Sequence, residues 1–491
     1  MRIHRNNPHP ILRSRCNRLT VLALAALWAL PARGATSIVT DTSDSNTDTG
    51  SLRYAINHAS ANDTITFNVT GGITLGSPLP VIAKNLTISG PGASQLTIYG
   101  SNQYQVFVID SGVTATISGL TIKNGNSAFG GGGISNSGML TVNNCTLSGN
   151  SASYGGGIFN IGTLTVNNCT LSGNSTYGGG GGIANDGTLT VNNSTLSGNF
   201  AHYDGGISNH GTLTVNNSTL SGNGAFVGAG ISNYQTAQLK STLLAHNAPG
   251  GNCYVPSNLG NPITTIGSLG YNLSDDTSCG SFTHSGDKNS VPSAGLDPAG
   301  LKDNGGPTQT IALLPTSPAV DAIPKSNCTD ANGNLVATDQ RGVTRPQGPA
   351  CDIGAFELVE TTPFASLTAK LDIVPTTTGS FDLNAPFTLG AASKGINPVT
   401  QPVTFSVGPY SVTIPPGSFH ELLNGAKKGS FVYSGAIGGV TLDIQIVTLG
   451  GGSYQFKAEG SPVNFAGVTN PVTVTITIGN DTGTVSVIAG L

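Results

Sequence analysis

Four near-identical stretches decide the fold: residues 136–150 (NSGMLTVNNCTLSGN), 160–174 (NIGTLTVNNCTLSGN), 185–199 (NDGTLTVNNSTLSGN) and 209–223 (NHGTLTVNNSTLSGN). Each stretch follows a glycine-rich run and an isoleucine, and a fifth, weaker copy comes next. The five isoleucines lie 24 or 25 residues apart, at Ile134, Ile158, Ile183, Ile207 and Ile231. Similarity at a fixed period of this length is typical of a stacked repeat architecture.

The side-chain pattern inside each copy has a period of two. Leu140 and Val142 flank Thr141, and Cys145 and Leu147 flank Thr146. This alternation predicts short strands with apolar residues inward and threonines outward. One such unit cannot bury its own apolar face, whereas copies stacked at about 4.8 Å build a continuous narrow core. The sequence therefore predicts an all-β parallel β-helix with about one coil per repeat, and degraded copies extend it upstream.

Asparagines recur in two columns of the repeat, and stacked amides can hydrogen-bond along such an axis. The columns are Asn144, Asn168, Asn193 and Asn217, and Asn150, Asn174, Asn199 and Asn223. We expect structural ladders here rather than a ligand site. The Asn-Asn pair also tolerates the left-handed conformation of a tight turn.

The composition excludes several classes of protein. Of 491 residues, 69 are glycine and only 9% are charged, with a net charge of −4. The exposed faces of helices draw on Glu, Lys and Arg, so an all-α protein or an ordinary α/β enzyme is excluded. Lysine and arginine are too sparse to neutralise a nucleic-acid backbone.

Residues 1–35 read as a signal peptide. A basic segment with five arginines precedes an apolar run at residues 19–30, which is short for a membrane span, and small residues suited to cleavage follow. A membrane anchor is the less favoured interpretation. We expect an extracellular or bacterial cell-surface location and no membrane span in the mature chain.

Six cysteines remain after that segment, and an even number in an exported chain permits disulfides. Cys253 with Cys279 and Cys328 with Cys351 are the expected pairs, because each closes a short polar loop. Cys145 and Cys169 share one inward column on neighbouring coils, so they form either a disulfide or two buried thiols.

Both ends of the repeat region carry distinct segments. Residues 51–59 place Leu52, Ala55 and Ile56 on one helical face, with Ser51 as N-cap, and predict a short capping helix. Beyond residue 364 alternating runs predict an antiparallel β-sandwich. The expected division is a signal peptide at 1–35, a capped β-helix at 36–357 with irregular coils at 240–357, and a β-sandwich at 364–491.

Several motifs resemble those of bacterial exported β-helix proteins with a choice-of-anchor Q domain. The motifs are residues 49–56 (TGSLRYAI), 62–67 (NDTITF), 301–308 (LKDNGGPT), 339–346 (DQRGVTRP) and 351–357 (CDIGAFE). The resemblance covers roughly residues 36–357. It implies a right-handed β-helix and export, but no catalytic activity is established for the family, so no active-site residue follows from the resemblance.

An aromatic column is the best candidate for a ligand site. Its members precede the glycine runs at similar offsets and are Phe129, Tyr154, Tyr177, Tyr203 and Phe226. Rings on an outer corner would bind sugar faces, and rings turned inward would only pack.

Asp186 and His210 occupy one variable position on adjacent coils, where they form either an acid–base pair or a plain surface contact.

No cofactor is expected. Two loops, at residues 44–50 and 330–334, have partly calcium-like oxygen spacing, but ordinary turns explain both. Arg341 and Arg345 with Asp339 and Asp352 are expected to pair in the structure rather than to catalyse a reaction.

The sequence favours a secreted or cell-surface protein without enzymatic activity, with adhesion or glycan binding as its role. The partner would be an extracellular glycan or a surface protein. One alternative is a polysaccharide-degrading lyase or glycoside hydrolase with its site in the irregular coils, where Asp275, Asp276, Asp287, Asp297 and His284 cluster in sequence. The other alternative is a structural stalk. Between residues 124 and 239 the only acids are Asp186 and Asp204, and Lys and Arg are absent.

Overall fold

The computed structural model describes residues 34–256, 265–359, 361–393, 395–423 and 429–491. The predicted signal peptide lies outside this range apart from residues 34 and 35. The described residues from 36 to 274 wind into a parallel β-solenoid of about nine turns with four sheets along its sides. The all-β fold class predicted from the repeat is confirmed.

The strands of the solenoid form one sheet per side. Sheet 1 contains Thr36–Val39, Asp63–Phe67, Leu86–Ser89, Thr114–Ser118, Met139–Asn143, Thr163–Asn167, Thr188–Asn192, Thr212–Asn216, Thr236–Lys240 and Thr265–Ser268. Sheet 2 contains Gly71–Thr74, Leu96–Tyr99, Thr121–Lys123, Thr146–Ser148, Thr170–Ser172, Thr195–Ser197, Thr219–Ser221, Leu243–Ala245 and Leu273–Ser274. Sheet 3 contains Phe107–Ile109, Ile134–Asn136, Ile158–Asn160, Ile183–Asn185, Ile207–Asn209, Ile231–Asn233 and Cys253–Tyr254. Sheet 4 contains Asn126–Gly130, Ser151–Tyr154, Ser175–Gly179 and Phe200–Tyr203.

The repeat sets the register of these sheets. The five equivalent isoleucines pair in order through sheet 3, each opposite its copy on the next coil. In sheet 1, Leu164 pairs with Leu189 and Val166 with Val191, and all four side chains are fully buried. Because identical residues stack coil upon coil, the apolar columns form one continuous core.

Buried asparagines connect the coils by their side chains. Asn150 donates to Asn174 Oδ1, and Asn174 donates to Asn199 Oδ1, both at 2.9 Å. Asn136 and its equivalents form a second buried ladder, which the sequence did not predict, with 2.7 Å steps. The other predicted column, at Asn144, forms no such ladder in the described residues; its four members adopt positive φ angles of 44–52°, as the turn reading of Asn-Asn allows.

A short helix covers the first coil. It spans Leu52–His58, and the Ser51 hydroxyl accepts a hydrogen bond from the Tyr54 amide at 3.1 Å, as an N-cap should. Leu52, Ala55 and Ile56 are buried in the core of the solenoid. The predicted capping helix is therefore confirmed, and it closes the end at which the apolar columns would otherwise meet water.

Residues 303–357 run back along the outside of sheet 2 instead of continuing the coils, and we call this segment the strap. Leu296–Lys302, just before the strap, pairs antiparallel with Thr310–Leu313 inside it, and Lys325–Asn327 form a 3₁₀ turn within the strap. Gln340 bridges two coils: its Oε1 accepts from Thr195 Oγ1 at 2.6 Å, and its Nε2 donates to Thr170 Oγ1 at 3.0 Å. The outward threonines of sheet 2 are consequently buried here.

One disulfide closes a loop before the strap, and a second disulfide and two ion pairs lie within the strap. Both expected disulfides are present, between Cys253 and Cys279 and between Cys328 and Cys351, whereas Cys145 and Cys169 are buried free thiols. The expected charge pairing is confirmed for Arg341 with Asp339, but Arg345 pairs with Glu357 and contacts Asp352 only at its backbone carbonyl. Arg341 binds Asp339 at 2.7 Å, and Arg345 binds Glu357 at 2.9 Å with both side chains almost completely buried.

The C-terminal residues form two further sheets. One contains Thr362–Pro363, Asp481–Val487, Val472–Ile478, Val403–Val407 and Tyr410–Ile414. The other contains Ser366–Leu367, Lys370–Ile373, Gly379–Thr388, Ser453–Val463, Val440–Gly450, Ser430–Ile437 and His420–Leu422. Apart from one short parallel pair, their strands are antiparallel, and alternate side chains form a separate apolar core. A separate antiparallel region was predicted and is confirmed. In the described residues, no helix has the length and hydrophobicity to cross a membrane.

Replacing Asn174 by Ala tests the buried ladder. The substitution orphans buried donors and acceptors on two neighbouring coils, so we expect a loss of roughly 2–5 kcal/mol in the free energy of unfolding, measured by urea denaturation. Asn167→Ala is the matched control, because Asn167 belongs to a ladder on the solvent side of sheet 1 and should cost less than about 1 kcal/mol. Equal losses for the two variants would contradict a special role of the buried ladder.

The strap also predicts a pH dependence of stability. Burial, and secondarily the Glu357 carboxylate, raise the pKa of Asp352 to about 7 from an ordinary value of 3.8. The fold therefore favours the protonated carboxyl; its contribution is complete below pH 4 and is lost as the pH rises through 7. We expect Asp352→Asn to be less stable than the wild type at low pH, because both Asp352 oxygens accept backbone hydrogen bonds. The variant should not lose stability as the pH rises through 7, because it has no carboxyl group at this position. Thermal unfolding between pH 4 and 8, with Asp303→Asn as control, checks the slope.

Candidate functional site

The rings of the aromatic column point outward. Phe129, Tyr154, Tyr177, Tyr203 and Phe226 are between 51% and 87% exposed. Sheet 4, which carries most of them, is irregular: its register shifts between Ala152 and Tyr154 and again between Thr176 and Gly179. The buried positions of this corner are occupied by small residues such as Ala152 and Ala201. The column therefore forms an external wall along the solenoid axis.

A depression lies beside this wall, because the outward residues of sheet 3 change size from coil to coil. Phe159 pairs with Ala184, and Ala184 pairs with Ser208 on the next coil. The floor therefore drops from a phenylalanine ring to two small side chains. The result is a groove of about 940 Å³, large enough for part of an oligosaccharide.

The opposite wall comes from the turn after each strand of sheet 3. Asp186, His210 and Tyr234 occupy equivalent positions on three successive coils and all line the groove. Asp186 and His210 are thus neighbours along the axis, as their spacing predicted. Among the described contacts they share no hydrogen bond or ion pair; His210 instead stacks on Tyr234, with 4.2 Å between ring centroids.

Asp204 is the most unusual side chain of the groove. It is only 3% exposed, and its Oδ2 accepts a hydrogen bond from Ser208 Oγ at 2.7 Å. The Tyr234 hydroxyl lies 3.1 Å from its Oδ1. Burial and the Asp204 charge raise the pKa of Tyr234 above its ordinary value, so the hydroxyl keeps its proton and remains a donor. Asp204 has a positive φ of 59°, which Asp and Asn tolerate better than most residues.

Two glycines keep the groove open. A Cβ at Gly179 would lie 2.8 Å from Asp204 Oδ2 and 3.2 Å from Ser208 Oγ. A Cβ at Gly178 would meet the Tyr154 ring at 2.6 Å. The glycine run therefore lets a ring and a carboxylate lie close against the backbone.

Only some of the predicted site residues line the groove. Tyr154, Tyr177 and Tyr203 line the groove, whereas Phe129 and Phe226 lie beyond it on the same wall. Sequence reasoning missed several of the lining residues: His202, Asp204, Ser208 and Tyr234. His202 packs between rings, 5.8 Å from Tyr177 and 5.3 Å from Phe226 by centroid. Tyr234 could have been found, because it occupies the same variable position as Asp186 and His210.

The acidic residues proposed for a polysaccharide-degrading site hold the backbone in place. Asp275 Oδ2 accepts from the His246 amide at 2.9 Å, and Asp276 Oδ2 accepts from the Asn252 amide at the same distance. Asp287 accepts from the His284 amide at 2.8 Å. Asp297 pairs with Lys302 at 2.5 Å. These contacts describe turns and an ion pair rather than carboxylates that converge on a substrate.

The two calcium-like loops are also held by protein contacts. Asp44 binds the Arg53 guanidinium at 2.7 Å, and Asp330 Oδ1 accepts from the amides of Asn332 and Asn334. Within the described ranges, no group of three or more His, Cys, Asp or Glu side chains is arranged to hold a metal ion.

Comparison with protein families gives one match. Residues 84–247, about a third of the chain, match the model of a right handed beta helix region, and these are the regular coils that form the groove. Comparisons with curated proteins and with solved structures give no match. The β-helix fold is shared by surface proteins and polysaccharide-degrading enzymes, so it leaves the activity open.

The outward direction of the rings predicts that they contribute little to folding. We expect Tyr177→Ser and Phe129→Ser to change the free energy of unfolding by less than about 0.5 kcal/mol, because both rings are more than 80% exposed. Phe107→Ser is the control: this ring is fully buried on a neighbouring sheet, and its loss should cost ~3–5 kcal/mol. A large loss at Tyr177 in urea denaturation would mean that the column serves packing.

Proposed function

We propose that this protein is an exported surface protein that binds a glycan chain in the groove between the aromatic wall and the turns after sheet 3. The observation that carries the proposal is the set of solvent-exposed tyrosines, Tyr154, Tyr177 and Tyr203, repeated coil after coil beside polar side chains. Aromatic faces pack against the apolar faces of sugar rings, and nearby carboxylates and imidazoles accept or donate hydrogen bonds to hydroxyls.

The periodicity of the groove supports a chain-like ligand. Successive coils present equivalent groups at about 4.8 Å intervals, so a polymer aligned with the axis would meet a similar environment at each step. The exposed rings continue beyond the groove to Phe129 and Phe226. An open, extended wall of this kind fits an adhesion role better than the capture of a small molecule.

The finer assignments belong to this proposal as well. We infer that residues 1–35 are a signal peptide, that residues 36–357 belong with choice-of-anchor Q proteins, and that residues 364–491 form a β-sandwich domain. Two disulfides support an exported location, since such bonds persist in oxidising compartments.

A glycan array on the purified chain, followed by calorimetry on the best ligand, tests the groove. We expect Tyr177→Ala and Tyr203→Ala each to weaken binding about tenfold, a loss of about 1.4 kcal/mol, because each substitution removes one ring on which a sugar face packs. Ala184→Phe should abolish binding by filling the floor, without removing any ring; Phe159 shows that the preceding coil accommodates this side chain.

Phe129→Ala is the matched control, since Phe129 is equally exposed but lies outside the groove. For an oligosaccharide short enough to lie within the groove, the binding of this variant should equal that of the wild type. Binding without turnover supports the proposal. Release of shortened products would favour the polysaccharide-degrading alternative. Neither binding nor product release would favour a structural stalk.

A further inference from the structure

Of the residues that the structure describes, carboxylates line the groove, but no lysine or arginine does. Two carboxylates, Asp186 and Asp204, line it, and between residues 124 and 239 the sequence contains no Lys or Arg. The nearest lysine that follows, Lys240, is engaged elsewhere: its Nζ donates to Thr329 Oγ1 at 2.6 Å and to the Asp330 carbonyl at 3.0 Å. Across the described residues, neither groove carboxylate takes part in an ion pair.

The burial of Asp204 makes the excess of negative charge in the groove important. A carboxylate that is only 3% exposed has lost most of its hydration, and its side-chain partners, Ser208 and Tyr234, are neutral hydroxyls. Buried carboxylates are usually paired with a cation or bound to a metal. Here the uncompensated charge lines an open groove, so a cationic group of a ligand can reach it, and an anionic ligand would be repelled.

Resting on the glycan-binding function proposed above, we propose that the groove selects glycan chains that carry free amino groups, with Asp204 and Asp186 as acceptors for the ammonium groups. The aromatic wall would pack against the sugar rings, and the carboxylates would bind the ammonium groups. Polyuronates, which carry the opposite charge, would be excluded. Hydrogen bonds between an ammonium and a carboxylate are about twice as strong as neutral ones, so they discriminate well.

Asp204→Asn is the central variant. Asparagine keeps the size of the side chain and tolerates the positive φ at this position, so the backbone should be retained. Asp186→Asn is a second variant that cannot threaten the fold, because Asp186 is exposed at a turn. Asp110→Asn is the matched control: Asp110 is exposed and occupies the position equivalent to Asp186 three coils earlier, outside the groove.

Binding is measured by calorimetry at the same mildly acidic pH for every probe, so that the amino groups of the glucosamine chain are protonated. The probes are a glucosamine oligosaccharide, its fully N-acetylated form of the same length, an oligogalacturonate and an oligolysine peptide. We expect the wild type to prefer the glucosamine form over the acetylated form about tenfold, and Asp204→Asn to remove that preference. Asp186→Asn should reduce it, and Asp110→Asn should preserve it.

The outcomes separate the two levels of the proposal. If no saccharide binds, the glycan-binding function itself fails. If the acetylated and free forms bind alike and Asp204→Asn changes neither, glycan binding stands and the amine selectivity is overturned. Tight binding of oligogalacturonate also overturns the selectivity, and oligolysine binding equal to that of the glucosamine chain identifies a general cation surface instead of a sugar site.

Discussion

The structure depends on one constraint: each side chain of a coil must match the side chain at the same position on the coils above and below it. Backbone hydrogen bonds between parallel strands fix the register, and buried amide ladders reinforce it with 2.9 Å and 2.7 Å steps along the axis. An inward position therefore accepts an apolar residue, an asparagine of the ladder or a small polar residue, and little else. Freedom to vary remains at outward positions and in the turns, which is where the groove has formed.

The groove is a local departure from this regularity. At one outward position of sheet 3 successive coils carry Phe159, Ala184 and Ser208, and at one turn position they carry Asp186, His210 and Tyr234. The repeat holds these variable residues in line, so a small number of substitutions is sufficient to create a concave surface. This is how a fold built from near-identical units can carry a site that belongs to only four of them.

Much of the solenoid could be predicted because its determinants are local and periodic. The alternation of Leu140, Thr141 and Val142 fixes which face is buried, and the 24-residue spacing fixes which residues stack. The strap could not be predicted, because Gln340 meets Thr195 and Thr170 across 145 and 170 residues without any repeating pattern. The groove was predicted only in part, because the sequence shows the column of rings but not their direction. The rings lie on sheet 4, whose register shifts at bulges. The role of Asp204 depends on its burial, which the sequence does not show either.

The strap also limits how the molecule can lengthen during evolution. Arrays of near-identical repeats gain and lose units by unequal recombination, and a free solenoid tolerates such changes at any coil. Here the strap is hydrogen-bonded to Asn168, Thr195 and Thr219 on consecutive coils, so it spans a set distance along the axis. An inserted unit among these coils would pull its contacts out of alignment, whereas one inserted before residue 145 would not. Copy number should therefore vary among homologues on the N-terminal side and stay constant beneath the strap.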